Sequence, residues 1–160
     1  GNSCEIKNSI IFDEAQVPHF NYVGDSILGY KAHMGAGAVT SNVKSDKSLV
    51  KVHAEDGDVT TGFKKFGAIL GDCVEVGCNS VLNPGTVIGK NSVVYPLSSV
   101  RGCVAANSIY KNQENVIVKE NRDAEAEAVK AEAEEPAPKP KRTRAKKSTA
   151  ASSSTVKVVK

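Results

Sequence analysis

Residues 70–105 read LGDCVE VGCNSV LNPGTV IGKNSV VYPLSS VRGCVA. Cut this way, each block of six opens on an aliphatic residue: Leu70, Val76, Leu82, Ile88, Val94 and Val100. The fifth position of each block is small or β-branched, being Val74, Ser80, Thr86, Ser92, Ser98 and Val104. Gly71, Gly77 and Gly89 directly follow three of the aliphatics. A helix of 3.6 residues per turn cannot keep a period of six on one face, and two-residue alternation does not single out every sixth position. Such a repeat reads as a solenoid, in which each unit buries its apolar side only by stacking on its neighbours. Each block then supplies one short strand and one corner. The aliphatic side chain points inward, the small residue fits where the corner crowds the interior, and glycine permits the corner backbone. Three blocks close one triangular coil.

Upstream the pattern recurs at Ile11, Val17 and Val23 and, after a five-residue step, at Leu28 and Met34, with Ala15, Ala32 and Ala38 as small partners. Between the two runs the period fails, from Ser41 to Phe66. This stretch holds Asn42, Lys44, Lys47, the acidic run Glu55-Asp56-Gly57-Asp58 and Lys64-Lys65. It is expected to be a loop thrown out from the solenoid, with a coil segment around Leu49–Val52. Loops on a rigid scaffold are common places for function. After Val104 the stretch Ala105–Tyr110 leaves the period and is expected to cap the last coil.

The chain of 160 residues carries 21 Lys+Arg and 18 Asp+Glu, for a formal charge of +3. That excess is not evenly spread. Residues 1–118 hold 10 basic and 11 acidic side chains, and residues 119–160 hold 11 and 7. All 13 Gly, all 4 Cys and all 3 His fall before residue 119. A basic nucleic-acid-binding domain is therefore not expected. No apolar run approaches the length of a membrane span, so no membrane partner is expected either. The sequence divides into a solenoid over 1–112, a Glu/Ala-rich cap or possible helix over 113–135, and a Pro-containing basic tail over 136–160 whose composition predicts disorder. Cys4, Cys73, Cys78 and Cys103 match no zinc spacing and read as reduced, half-buried thiols, which suits a cytoplasmic location. His19, His33 and His53 are too far apart in sequence to suggest a metal-binding pair.

Three segments carry a more specific signal: Glu5-Ile6-Lys7, then HFNYVGDS at 19–26, then MGAGAVTSN at 34–42. The block H-x-x-Y-V-G-D-S followed by G-A-G-x-x-T-x-N resembles the C-terminal left-handed β-helix of bifunctional UDP-N-acetylglucosamine pyrophosphorylase/glucosamine-1-phosphate acetyltransferase and of related sugar-phosphate nucleotidylyltransferases. The likeness extends over about residues 1–112. Left-handedness comes from this resemblance alone.

The resemblance implies transfer of an acetyl group from acetyl-CoA to the amine of an amino-sugar 1-phosphate, in a homotrimer with sites between subunits. By position, His19 would be the general base, a task that suits imidazole because its ordinary pKa lies near working pH. Lys7 and Tyr22 would hold the phosphate and the sugar, Asn42 would contact the sugar or acyl group, and Lys47 would reach the phosphate from the loop. The backbone around Ala36, Cys78 and Tyr95 would line the groove for the CoA arm, and no metal is implied. The family often has Asn where His33 stands, a large residue where Val43 stands and a small one where Tyr95 stands. Those departures motivate an alternative, a non-catalytic oligomerisation or regulatory β-helix of a sugar-1-phosphate nucleotidylyltransferase. The chain opens on Gly1 in what reads as a clipped hexad, so a preceding nucleotidylyltransferase domain is expected, and the isolated chain is expected to be marginally stable.

Overall fold

The computed structural model describes residues 1–54, 56–112 and 115–118. Among the described residues every regular element is a β-strand. Three parallel sheets surround one core. The first stacks Glu5–Lys7, Tyr22–Gly24, Val39–Thr40, Val81–Leu82 and Ser99–Val100. The second stacks His33–Met34, Glu75–Val76, Val93–Val94 and Ser108–Asn112, and the third Ile10–Ile11, Ile27–Leu28, Ala68–Leu70, Thr86–Ile88 and Cys103–Val104. The chain visits the three sheets in rotation and moves on one coil, which is a parallel β-solenoid.

The aliphatic at the head of each hexad faces the interior. Leu70, Val76, Leu82, Ile88, Val94 and Val100 are no more than 2% exposed, and Val23, Leu28 and Met34 upstream are fully buried. Each such side chain contributes about 1.5–3 kcal/mol of gross burial energy. The five-residue step between Val23 and Leu28 shows up in the register. Early coils advance 17 residues, as in Ile11 opposite Leu28, and later ones 18, as in Val76 opposite Val94. Ile6 and Ile11 hold inward register positions opposite Val23 and Leu28, yet are 49% and 38% exposed, because no described coil lies beyond the first.

The fifth-position residues do more than save space. Ser80 Oγ donates to Tyr95 O at 3.1 Å, Ser92 Oγ to Ala105 O at 2.9 Å, and Thr86 Oγ1 to Val100 O at 3.1 Å. Buried hydroxyls thus tie one coil to the next, which satisfies polar atoms that a corner would otherwise strand.

Glycine's role at the corners differs from the expected one. Gly71, Gly77 and Gly89 do not adopt positive φ. The left-handed conformation falls instead on Cys73 (φ 55), Asn91 (φ 58) and Asn107 (φ 56), which occupy one corner in successive coils. Gly71 is required by close approach, since a Cβ there would lie 2.7 Å from Lys90 N of the next coil.

Four further expectations are corrected. Val104 is not a fifth-position residue: it pairs with Ile88 as the inward residue of a strand, because the last coil advances only 16 residues. Ala105–Tyr110 does not simply leave the period, since Ser108–Asn112 continues the second sheet with Tyr110 opposite Val94 and buried. Asn115–Val118 then returns antiparallel to it, and the rest of the expected cap and the basic tail lie outside the described residues. The excursion holds no coil segment at Leu49–Val52: Lys51–Ala54 pairs with Gly57–Thr60 as an antiparallel hairpin, with Val50 fully buried at its root. Strands on either side of the excursion pair 42 residues apart, as in Leu28 with Leu70, which is 24 more than the 18 of a regular coil. Of the four thiols, Cys4 and Cys73 are half-buried as expected, whereas Cys78 and Cys103 are exposed.

Candidate functional site

Two adjacent corners of the solenoid carry the candidate residues. The first follows the strand Tyr22–Gly24. Lys7 stands opposite Gly24 in register, and the Asp25 N–H donates to Lys7 O at 2.9 Å. The Tyr22 ring folds back over Gly24. A Cβ on Gly24 would fall 2.7 Å from Tyr22 Cζ and 2.8 Å from Asn42 Nδ2, so only glycine leaves room for this arrangement. Asn42 Nδ2 donates to Tyr22 Oη at 3.1 Å and to Asp25 Oδ2 at 2.5 Å. Asn8 Nδ2 reaches the other oxygen, Asp25 Oδ1, at 3.4 Å. Asn42 is itself anchored where the excursion returns, its carbonyl accepting from Phe66 N–H at 2.9 Å. The fold thus brings Lys7, Tyr22 and Asn42 together. With its amide nitrogen committed, Asn42 offers Oδ1 as an acceptor, and the Tyr22 hydroxyl keeps its own proton to donate.

The second corner begins at His19, whose backbone is fixed on both sides. Its N–H donates to Asn21 Oδ1 at 3.0 Å, and its carbonyl accepts from Gly37 N–H at 3.0 Å. Asn21 is 3% exposed and donates to Gly35 O at 2.7 Å and Ala38 O at 3.0 Å, pinning this coil to the next. The His19 imidazole is exposed and makes no hydrogen bond among the described residues. Above it the corner continues through Ala36, Cys78 and Tyr95–Leu97: Asn79 N–H donates to Ala36 O at 2.9 Å and Leu97 N–H to Cys78 O at 2.9 Å. Ala36, Cys78 and Pro96 therefore form a file parallel to the solenoid axis, stepping about 4.8 Å per coil, and Tyr95 stands one position to the side, in line with Gly77 and Gly35. Beside it lies a cleft of about 270 Å³ whose walls include His33, Glu75, Val76, Cys78, Tyr95 and Pro96. Tyr95 is 44% exposed at its edge, with Lys111 Nζ 5.7 Å from the ring centroid.

Lys47 stands apart. It closes the first turn of the excursion, its N–H donating to Lys44 O at 2.9 Å, and its exposed side chain has no hydrogen bond or ion pair to the Tyr22 cluster. Three residues were not singled out by sequence reasoning. Gly24 and Asp25 lie inside the quoted block, directly after Tyr22, and could have been read from it. Glu75 could not: its Oε2 sits 2.7 Å from His33 Nδ1 only because 42 residues of chain return in register. Among the described residues no group of three or more His, Cys, Asp or Glu is placed to hold a metal ion. None forms a helix long and apolar enough to cross a membrane.

Comparison with known proteins bears on this geometry. No protein-family model matches the chain. The bifunctional protein GlmU of Methanococcus maripaludis strain S2 is 40% identical over 121 residues, covering 75% of this chain and 29% of that protein. GlmU of Methanocaldococcus jannaschii is 34% identical over 120 residues, covering 74% and 29%. The chain is a homologue of the bifunctional GlmU proteins. A bifunctional sugar-1-phosphate nucleotidylyltransferase/acetyltransferase of Sulfurisphaera tokodaii is also 34% identical, over 111 residues covering 69% of this chain and 28% of that protein. This GlmU-related chain spans less than a third of the length of the curated relatives it matches. Among solved structures, a mutant of AntD, an N-acyltransferase from Bacillus cereus, in complex with dTDP-4-amino-4,6-dideoxyglucose and coenzyme A, matches at 16% identity and a TM-score of 0.43, covering 82% of this chain and 86% of that one. Galactoside acetyltransferase in complex with coenzyme A matches at 19% identity and a TM-score of 0.45, covering 74% and 68%.

Proposed function

We propose that this chain is the acyltransferase β-helix of a longer, bifunctional sugar-phosphate enzyme, and that it transfers acetyl from acetyl-CoA to the amine of glucosamine 1-phosphate. The observation that carries this reading is the convergence of Lys7, Tyr22 and Asn42 on one corner, next to the corner that presents His19, in a chain homologous to GlmU. Lys7 holds the phosphate as a point charge. Tyr22 donates to, and Asn42 accepts from, sugar hydroxyls, with Lys47 supporting the phosphate from the excursion. The backbone around Ala36, Cys78 and Tyr95 borders the cleft that takes the pantetheine arm. His19 accepts the proton of the attacking amine as the nitrogen–carbon bond forms and the thioester carbon–sulfur bond breaks. The same proton then passes to the departing thiolate, so His19 ends neutral. An exposed imidazole on a fixed backbone suits this task, and a neighbouring copy in a homotrimer shields it from bulk water.

The test is a thiol-release assay with acetyl-CoA and glucosamine 1-phosphate on the full-length parent. His19→Ala lowers kcat on the order of 100- to 10,000-fold. An unchanged rate removes His19 from the mechanism. One observation favours a second reading, a non-catalytic oligomerisation or regulatory β-helix of a sugar-1-phosphate nucleotidylyltransferase: Tyr95 stands at the edge of the donor cleft with Lys111 over its ring. Calorimetric titration of the parent with acetyl-CoA separates the two, because saturable binding excludes the second.

A further inference from the structure

The corner that holds Tyr22 and Asn42 continues for two more coils. Ser41 N–H donates to Leu82 O at 2.8 Å and Asn83 N–H to Val100 O at 3.0 Å, so Ser41, Asn83 and Arg101 follow one another along the axis. The first turn of the excursion arches beside this file and carries Lys44, Ser45 and Asp46. Together they wall a cleft of about 350 Å³ between Ser41, Lys44, Ser45, Asp46, Asn83 and Arg101.

The charges in this cleft are unbalanced. Two cations face one carboxylate, and that carboxylate is turned to its own backbone. Asp46 Oδ1 accepts from Ser48 N–H at 3.0 Å, which holds its carboxyl below the usual range. Neither Lys44 nor Arg101 forms an ion pair among the described residues, whose ion pairs lie at Glu14–Lys31, His33–Glu75 and Asp58 with Lys51 and His53. Lys44 Nζ has a neutral partner, Ser48 Oγ at 3.2 Å. The hydroxyls of Ser41 and Ser45 make no hydrogen bond among the described residues and are free to donate. The wall is rigid, because Asn83 Nδ2 is pinned to Ser99 Oγ at 3.0 Å and Val100 O at 2.8 Å. An isolated surface Lys or Arg is ordinarily just solvated. Here two segments far apart in sequence deliver two cations, against one carboxylate, and two free hydroxyls to one concavity. A guanidinium fork matches a phosphate bidentately, and an ammonium adds a point charge.

We propose that the cleft between Lys44 and Arg101 is an anion site that takes a phosphate monoester. It lies at the far end of the same corner from Lys7: the backbones of Lys7 and Arg101 stand four coil steps apart, or about 19 Å. The site does not depend on acetyl transfer. Its ligand is a phosphate on an extended molecule, such as the nucleotide end of coenzyme A, or a free phosphate group.

The experiment is calorimetric titration of the full chain with inorganic phosphate, glucosamine 1-phosphate, coenzyme A and dephospho-coenzyme A. It uses the wild type, Lys44→Ala/Arg101→Ala, Arg101→Lys, and Lys90→Ala as a control on another corner. Arg101 is exposed and Lys44 half-buried, and a thermal melt confirms that the variants fold. At least one phosphate-bearing probe loses affinity tenfold or more in the double variant and less in Arg101→Lys, while Lys90→Ala binds as wild type. A loss seen with coenzyme A but not with dephospho-coenzyme A assigns the 3′-phosphate, and a loss with inorganic phosphate or glucosamine 1-phosphate assigns a free phosphate. Equal affinities in wild type and double variant for all four probes overturn the proposal. Phosphate binding that persists in a chain without acetyl transfer keeps this site and removes only the enzymatic reading.

Discussion

Asn42 Nδ2 lies 3.1 Å from Tyr22 Oη, and this contact joins the end of the sixth-residue pattern to the root of the excursion. It exists only because Gly24 has no side chain. Gly24→Ala is therefore expected to displace Tyr22 and Asn42 together. Overpacking of this kind typically costs about 1–3 kcal/mol of stability. Binding of glucosamine 1-phosphate to the full-length parent should fall more in Gly24→Ala than in Tyr22→Phe, which keeps the ring. A double-mutant cycle of Tyr22→Phe and Asn42→Ala should give a coupling of about 0.5–1.5 kcal/mol in urea unfolding. Coupling indistinguishable from zero would mean that the two side chains act independently.

Ser26 bridges the excursion from beneath. Its hydroxyl donates to Gly24 O at 2.7 Å and accepts from Ala68 N–H at 3.0 Å, and the side chain is buried. Ser26→Ala leaves the buried Ala68 amide without a partner. The expected loss is about 1–3 kcal/mol, larger than for an ordinary hydrogen bond because the donor stays desolvated. Chemical denaturation of the two proteins measures it. Hydrogen exchange should localise the effect to Ala68, and protection there equal to wild type would contradict this account.

Much of the fold was legible because a solenoid writes its inward residue at a fixed period, and Leu70 to Val100 keep that period without a fault. The errors have physical causes. Val104 leaves its expected fifth position because the last coil shortens by two residues, which no local residue announces. Conformational freedom is the usual reason for a corner glycine, but at Gly71 the next coil's backbone, not φ, excludes a Cβ. The hairpin carries a local signal, the dipeptide Asp56-Gly57, whose glycine opens the second strand opposite Ala54. At the site, Lys7, Tyr22 and Asn42 carried recognisable chemistry as a motif. The His33–Glu75 pair and the Lys44–Arg101 cleft depend on coil register across the excursion, which sequence spacing alone does not set.

Backbone strain and close packing make opposite predictions at two corners. Leu97 adopts φ 61 and is 80% exposed, so its side chain gains little from burial while its Cβ strains the backbone. Leu97→Asn or Leu97→Gly should relieve about 1 kcal/mol of that strain and raise Tm. Gly71→Ala should lower Tm, because the new Cβ would meet Lys90 N at 2.7 Å and Lys90 Cα at 3.0 Å. Calorimetric melts of the three variants check both signs. A Leu97 variant that melts below wild type would show that this exposed residue is held by a contact beyond the described chain.

Tyr110 predicts how the solenoid responds to alkali. It sits 3% exposed, opposite Val94 in the last coil of the second sheet, and its hydroxyl donates to Ser99 O at 3.0 Å. Burial pushes its phenol pKa above the ordinary value of 10.0. Between the unfolded and the folded pKa, the native protein holds a proton that the unfolded chain has released, so stability falls as pH rises. The contribution is complete below about pH 10 and is lost as the pH climbs through the folded value. Lys31 titrates in the same range, its pKa raised by Tyr30 and Glu14, but it does so equally in a Tyr110→Phe variant. The difference between the two proteins therefore isolates Tyr110. At neutral pH Tyr110→Phe should be less stable by about 1 kcal/mol through the lost hydrogen bond. Above pH 10 its stability should decline less steeply, so that the gap closes. Urea denaturation from pH 8 to 12 reads both effects, and parallel curves throughout would show that the Tyr110 phenol ionises as readily in the folded coil as in water.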